Sequence, residues 1–199
     1  MDIHFSKEEI VLEKELNSLD RFVIDFTSIL NKLNISYVIL SGYVSILFGR
    51  NRSSEDIDLI MEKINFQDFA KLWAELSKDF ECLITEDVND AYNRYLCQEH
   101  AIRFSRKKKF IPNMEIKFPK IELDDWTLTN KKKVSLNKHV LFISPLELQI
   151  PFKLFLGTEK DIEDARYLYN LFKDKLDISL LTEFNRKLNI EKVFIKYLK

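Results

Sequence analysis

Hydrophobic and polar positions follow each other along this chain in two rhythms, and each change of rhythm marks an element. Apolar positions three and four apart across residues 7–33 predict one or two amphipathic helices. The β-rich run "ISYVILS" (Ile35 to Ser41) reads as a strand and hands over to a short helical segment from Gly42 to Phe48. After a polar loop, "DIDLIM" is the next strand; "NFQDFAKLWAELSKDF" then has helical periodicity with Asn65 placed to cap it, and "ECLIT" is a strand. Asp87 to Glu99 reads as a helix, and "AIRFSRK", "FIPNMEIKF", "KKVSLN" and "HVLFIS" as further strands. From Pro145 onward the pattern is helical, ending in "LDISLLTEFNRKLN" and "IEKVFIKYLK", whose apolar stripes suit a core. Ser144, Pro145 and Glu147 have the spacing of a capping box with proline at the first helical position, and Pro151 is expected to bend the helix that follows. The class expected is α/β (α+β): a small mixed sheet flanked by helices, followed by a helical C-terminal part.

Composition narrows this without changing it. A chain of 199 residues, 46% hydrophobic and 13% aromatic, can bury a core as one domain or as a lobe with a helical appendage. Cys82 and Cys97 lack the spacing of a zinc knuckle or a redox pair and suit free thiols in a reducing cytosol. No apolar run approaches a membrane span, and "MDIHFSKEEI" is too charged for a signal peptide, so the expectation is a cytoplasmic protein with no membrane partner. His4, His100 and His139 stand apart, with no serine or cysteine spacing that suggests a nucleophilic triad. Lysine plus arginine (31) nearly balances aspartate plus glutamate (32), so total charge demands no polyanion. The cations do cluster, in "RFSRKKKF" (Arg103 to Phe110) and "NKKKV" (Asn130 to Val134), which read either as solvated hairpin ends or as an RNA or phosphate patch.

The chemistry concentrates where pattern and propensity disagree. Asp56 and Asp58 flank Ile57 in a run that otherwise reads as buried strand, a setting that disfavours carboxylates. Residues two apart project from one face, roughly 7 Å from each other, so the two acids aim together. A hard divalent cation, Mg²⁺ above all, relieves their repulsion and binds nucleotide phosphates as well. Upstream, Gly42 falls at a strand-to-helix turn where backbone amides can receive an anion, although such turns use glycine for steric reasons too. Arg50, Arg52, Ser53 and Ser54, between that turn and the acids, suit a grip on a phosphate chain.

Taken together, "SGYVSILFGRNRSSEDIDLIM" resembles the signature of the nucleotidyltransferase superfamily with the DNA polymerase β type fold: strand, glycine turn, helix, loop, then Asp-x-Asp on the next strand. Ser41 stands where that pattern has its first glycine. The resemblance implies a third carboxylate on a later strand. Glu115 in "IPNMEIKF" is the candidate, because Met114, Ile116 and Phe118 take the opposite face; the competing reading is a solvated strand residue. A narrower similarity, to the toxin component of abortive-infection systems (AbiEii) and related minimal nucleotidyltransferases, rests on Lys153 in "SPLELQIPFKLFLG" and on Asp161 and Asp164 in "EKDIEDARYLYNLF". Lys153 reads alternatively as a snorkelling lysine, and Asp161 as the third position of a helix capped by Thr158.

The resemblance, carried over residue by residue, implies a catalytic domain over residues 1–144 with a helical region, 145–199, packed on it. Mg²⁺ or Mn²⁺ would be held by Asp56, Asp58 and Glu115, with Lys153 as a further catalytic residue. A nucleoside triphosphate would be bound by Ser41, Gly42, Arg52, Ser54, Lys153, Asp161 and Asp164. The acceptor it points to is an RNA end such as that of tRNA, and a cognate antitoxin protein would be a partner. Aminoglycoside-type and protein-modifying transferases stay open as alternatives, as does a catalytically silent antitoxin or binding module of the same fold.

Overall fold

The structure, a computed structural model, describes residues 2–6 and 8–198. In chain order its first half runs β1 (Asp2–Phe5), β2 (Glu9–Glu13), α1 (Ser18–Lys32), β3 (Tyr37–Ile39), α2 (Gly42–Leu47), β4 (Asp56–Met61), α3 (Phe66–Leu76), β5 (Phe80–Cys82) and α4 (Val88–Asp90). The second half runs β6 (Ile102–Arg106), β7 (Asn113–Lys117), α5 (Glu122–Thr129), β8 (Lys132–Leu136), β9 (His139–Ile143), α6 (Leu146–Leu156), α7 (Glu159–Phe172), α8 (Ile178–Lys187) and α9 (Glu191–Leu198). The strands form one mixed sheet in the order β1-β2-β8-β9-β3-β4-β7-β6-β5. At its centre β3 pairs antiparallel with β4, and β4 pairs parallel with β7. This is the mixed α/β architecture expected from the pattern, with the helices from α6 onward completing it.

Three features depart from the sequence reading. Residues 7–33 were expected to be helical, but β1 and β2 form an antiparallel hairpin with Ile3 opposite Leu12 and Phe5 opposite Ile10. Ile10 and Leu12 are fully buried while Val11 is only partly so, a period of two that the surrounding glutamates and lysines disguise as helical spacing. The helix starts only at Asn17, whose side chain accepts from the Asp20 amide while Asp20 accepts from the Asn17 amide. Second, α5 follows β7 in a segment left without an element; one of its residues, Thr127, is fully buried, so it carries no apolar stripe to read. Its first turn holds Glu122, Asp124 and Asp125, a charge pattern the helix dipole favours. Third, the capping box at Ser144 does not form. Pro145 is itself the cap residue, and the Ser144 hydroxyl donates instead to Gln149 Oε1 at 2.7 Å. The helix α6 runs on through Pro151 to Leu156.

One apolar core ties the C-terminal helices to the sheet. Phe172 of α7 stands edge-on to Phe48 at 4.8 Å and also meets Phe5, and the Tyr167 hydroxyl donates to the Phe48 carbonyl at 2.8 Å. Trp126 of α5 stands edge-on to Phe184 of α8 at 4.8 Å. These contacts press α7 onto the segment just after α2, and that placement brings distant charges to the Asp56 strand.

Candidate active site

Pairing of β4 with β7 puts three carboxylates side by side. Asp58 is in register with Glu115, and Asp56 with Asn113. Register partners in a pleated sheet share a face and lie about 4.8 Å apart, so Glu115 stands beside Asp58 while Asp56 follows one pleat away. Burial pushes the Asp58 carboxyl above its usual range, and the Asp56 and Glu115 charges push the same way. A hydrogen bond from Ser41 and the Lys117 ammonium pull it back in part.

Arg103 is the neighbour the sequence reading did not assign. It lies opposite Glu115 across the β6–β7 ladder, with Nε and Nη2 at 2.7 and 2.6 Å from Glu115 Oε2. Among the described residues no three His, Cys, Asp or Glu side chains close up into a ready metal cage. The donor set nonetheless fits a hard dication in kind: carboxylate oxygens only, on one face, with Asp58 in an environment that disfavours its bare charge. To join such a set, Glu115 would have to leave Arg103. A pair this exposed is worth about 0–1 kcal/mol, which a dication outweighs.

The turn takes a glycine-like backbone although serine stands before Gly42. Ser41 sits at φ 61, ψ −134, a conformation that glycine adopts freely and other residues resist. Gln149 Nε2 donates to the Ser41 carbonyl at 2.9 Å, and the Ser41 hydroxyl reaches Asp58, so the strained residue is held from both sides. Ser41→Gly should therefore exceed Ser41→Ala in stability by about 1–3 kcal/mol, since both lose the hydroxyl and only glycine sheds the strain. Urea unfolding of the two variants measures the difference directly. At Gly42 an added Cβ would stand 3.0 Å from Arg52 Nη2 and 3.2 Å from Ser54 Oγ. The missing side chain thus makes room for Arg52 and Ser54 to lie on the turn, and Ser54 Oγ donates to the Asp56 carbonyl at 2.9 Å.

Arg52 is fixed from a third direction. Asp164, on the buried face of α7 and without solvent exposure, receives Arg52 Nη1 at 2.5 Å and Lys153 Nζ at 2.7 Å, and its other oxygen lies 2.6 Å from Arg50 Nε. Lys153 is 1% exposed and also donates to Asp161 Oδ1 at 3.1 Å. Asp161 occupies the capping position expected of it, its amide donating to Thr158 Oγ1. It therefore serves the helix start and Lys153 together. Lys153 does not snorkel to solvent; it is turned into this buried network.

A cavity of about 350 Å³ opens between the β4–β7 strands and helices α5 and α6. Ser41, Asp58, Glu115, Lys117 and Lys153 line it, with apolar walls that include Leu148 and Phe152. The residues named from sequence thus fall into three adjoining groups: Asp58 and Glu115 at the cavity with Asp56 one pleat along the strand, Gly42 with Arg52 and Ser54 at the turn, and Lys153 with Asp161 and Asp164 in the network joined to it. Arg50, also named from sequence, joins Asp164 in that network, and Arg103, Lys117 and Gln149 complete the groups. Arg103 lay in a run read as a strand and a basic segment, with no part in the site, and Gln149 carries no sequence signal. The two basic segments, in contrast, are not neighbours. Five strand steps of about 4.8 Å, roughly 24 Å, separate β8 from β6. Arg106 pairs with Asp25, Lys133 with Glu9, and Lys132 donates to the Ser6 carbonyl.

No family model matches the chain, and no curated protein matches it in sequence. Solved structures match its fold. An antigenic nucleotidyltransferase-like protein from Paracoccidioides brasiliensis is 17% identical over 92% of this chain and 94% of its own, with a TM-score of 0.54. The solution structure of the antibiotic-resistance factor ANT(2'')-Ia is 9% identical over 90% of this chain and 97% of its own, with a TM-score of 0.53. The crystal structure of ANT(2'')-Ia in complex with adenylyl-2''-tobramycin is 12% identical over 86% and 99%, with a TM-score of 0.52. The architecture is that of nucleotidyltransferase-like proteins.

Proposed function

We propose that this chain is a metal-dependent nucleotidyltransferase that moves a nucleoside monophosphate from a nucleoside triphosphate to an acceptor hydroxyl. The observation that carries the reading is the register of Asp58 against Glu115, beside a cavity shared with Ser41 and Lys153, in this fold. Asp56 and Asp58, joined by Glu115, would hold Mg²⁺ or Mn²⁺; such an ion neutralises developing phosphate charge and favours deprotonation of an acceptor hydroxyl. The chain's own part is placement. Ser41 orients Asp58, and Arg52, held by Asp164, presents a fixed cation on the Gly42 turn, next in the chain to Ser41 of the cavity lining. The acceptor oxygen bonds to the α-phosphorus as the bond to the bridging oxygen breaks, and pyrophosphate leaves.

The acceptor is inferred from charge. Lys117, Lys120 and Lys153 stand in the cavity lining against Asp58, Glu115 and Asp124, so no acidic surplus welcomes a polycationic drug. That balance favours an RNA end, the acceptor implied by the similarity to AbiEii-type toxins, over an aminoglycoside, and a cognate antitoxin protein would then be a partner. Thermal unfolding with each nucleoside triphosphate, with and without Mg²⁺, tests the donor site. At a hundred times Kd a bound donor adds about 2.7 kcal/mol, a shift of roughly 5–10 °C, and the shift should require the metal. An unchanged midpoint with every nucleotide would sink the proposal.

A further inference from the structure

The turn joining β6 to β7 carries three consecutive exposed lysines next to the site. Arg106 is taken by Asp25, but among the described residues Lys107, Lys108 and Lys109 have no ion-pair partner. Directly after them Phe110 is 78% exposed and Ile111 54% exposed. Nothing about the turn is loose: the Lys107 amide donates to the Asp79 carbonyl, the Lys108 amide to Glu81 Oε1 at 2.8 Å, and the Lys109 amide to the Arg106 carbonyl at 2.9 Å. The Ser105 hydroxyl donates to the Lys109 carbonyl. An aromatic ring is thus exposed to water, at a cost in hydration, at the end of a run of three exposed lysines on a backbone held by hydrogen bonds.

The turn is also aimed. Asn113, at the start of β7, is in register with Asp56, and its amide donates to the Glu55 carbonyl at 2.8 Å. Glu115 follows two residues on. What lies along the turn therefore leads to the carboxylates. We propose that the Lys107–Ile111 turn docks a single-stranded nucleic acid, with phosphates on the lysines and an unstacked base on Phe110, and leads its end to Asp56 and Asp58. The role as acceptor rests on the nucleotide-transfer reading; the surface itself does not. A strand touches the turn along a line and passes the exposed carboxylates of Glu55 and Asp56 at its edge. A flat anionic bilayer would meet those carboxylates face on, so the charge arrangement favours the strand. Of the two basic segments, this one adjoins the site, whereas Lys132 and its neighbours lie across the sheet.

Anisotropy titrations of a labelled single-stranded oligoribonucleotide over a range of salt concentrations test this. Three lysine–phosphate contacts give a slope of log K against log salt of about −2, and K107Q/K108Q/K109Q should lose it. Phe110→Ala should weaken binding by roughly tenfold with the slope kept. Both variants should retain the metal-dependent thermal shift with nucleotide, as the substitutions are exposed and outside the cavity. Unchanged RNA binding in both variants overturns the proposal. So does binding of duplex as tight as that of single strand, or lysine-dependent binding of phosphatidylserine vesicles without binding of RNA. If RNA binds through these residues while no nucleotide shifts the wild-type midpoint, the docking surface stands and the transferase reading falls.

Discussion

Asp56→Ala combined with Asp58→Ala should reduce nucleotide transfer by a thousandfold or more while leaving a folded protein. The two effects come from the same feature. Removing the carboxylates removes the donors for a dication whose contribution to phosphoryl chemistry is several kcal/mol, and each 1.4 kcal/mol is a factor of ten in rate. Stability should move the other way. The Asp58 carboxyl is held above its usual range, chiefly by burial, so its ionised form is disfavoured in the folded chain. A raised folded value means that the group's contribution to stability is best below the unfolded value and is lost as pH rises through the folded one. At neutral pH the metal-free wild type bears that penalty and the double variant does not. Its melting midpoint should therefore equal or exceed the wild type's at pH 7, with the advantage gone in acid. In acid, protonation of Asp58 competes with the dication, so the metal concentration needed for half-maximal transfer should rise as pH falls. Transfer retained by a folded double variant would refute the assignment.

Which parts of this were legible in the sequence follows from which signals are local. Asp56 and Asp58 stood out because strand alternation and an i,i+2 spacing are visible within six residues. Glu115 was found through a family expectation, and the register beside Asp58 that makes it a neighbour depends on a parallel pairing no local pattern states. The N-terminal hairpin was misread because charged residues around Ile10 and Leu12 satisfy helical spacing as well; only pairing of β2 with β8 decides between the two. The helix α5 was missed since it carries a dipole-matched first turn but no stripe. Ser41 was read as a departure from a glycine turn, yet its backbone takes the glycine-like conformation, because Gln149 and Asp58 hold it there. Arg103 was counted as basic surface, and the structure pairs it with Glu115 across the β6–β7 ladder.

Asp164 is the residue whose role was least accessible, and its replacement should have the largest effect on stability. Its partners come from 112 positions upstream, at Arg52, and from one helix earlier, at Lys153. The cluster is balanced, with Arg50, Arg52 and Lys153 facing Asp161, Glu163 and Asp164. Asp164→Ala leaves Lys153 buried with Asp161 alone and gives two arginines no carboxylate at hydrogen-bond distance. Breaking a buried pair from one side costs about 3–5 kcal/mol, because a desolvated charge stays behind uncompensated. In a chain of 199 residues that corresponds to a drop of roughly 6–20 °C in the melting midpoint. Lys153→Met separates the network's structural role from its positional one. It removes the buried ammonium with the volume nearly kept and leaves Asp164 paired with both arginines, so its cost should stay well below that of Asp164→Ala. Urea unfolding orders the two variants. If Lys153→Met proves as damaging as Asp164→Ala, the buried lysine and not the shared carboxylate anchors α7 to the Arg50–Arg52 loop, and the placement of Arg52 on the glycine turn needs another cause.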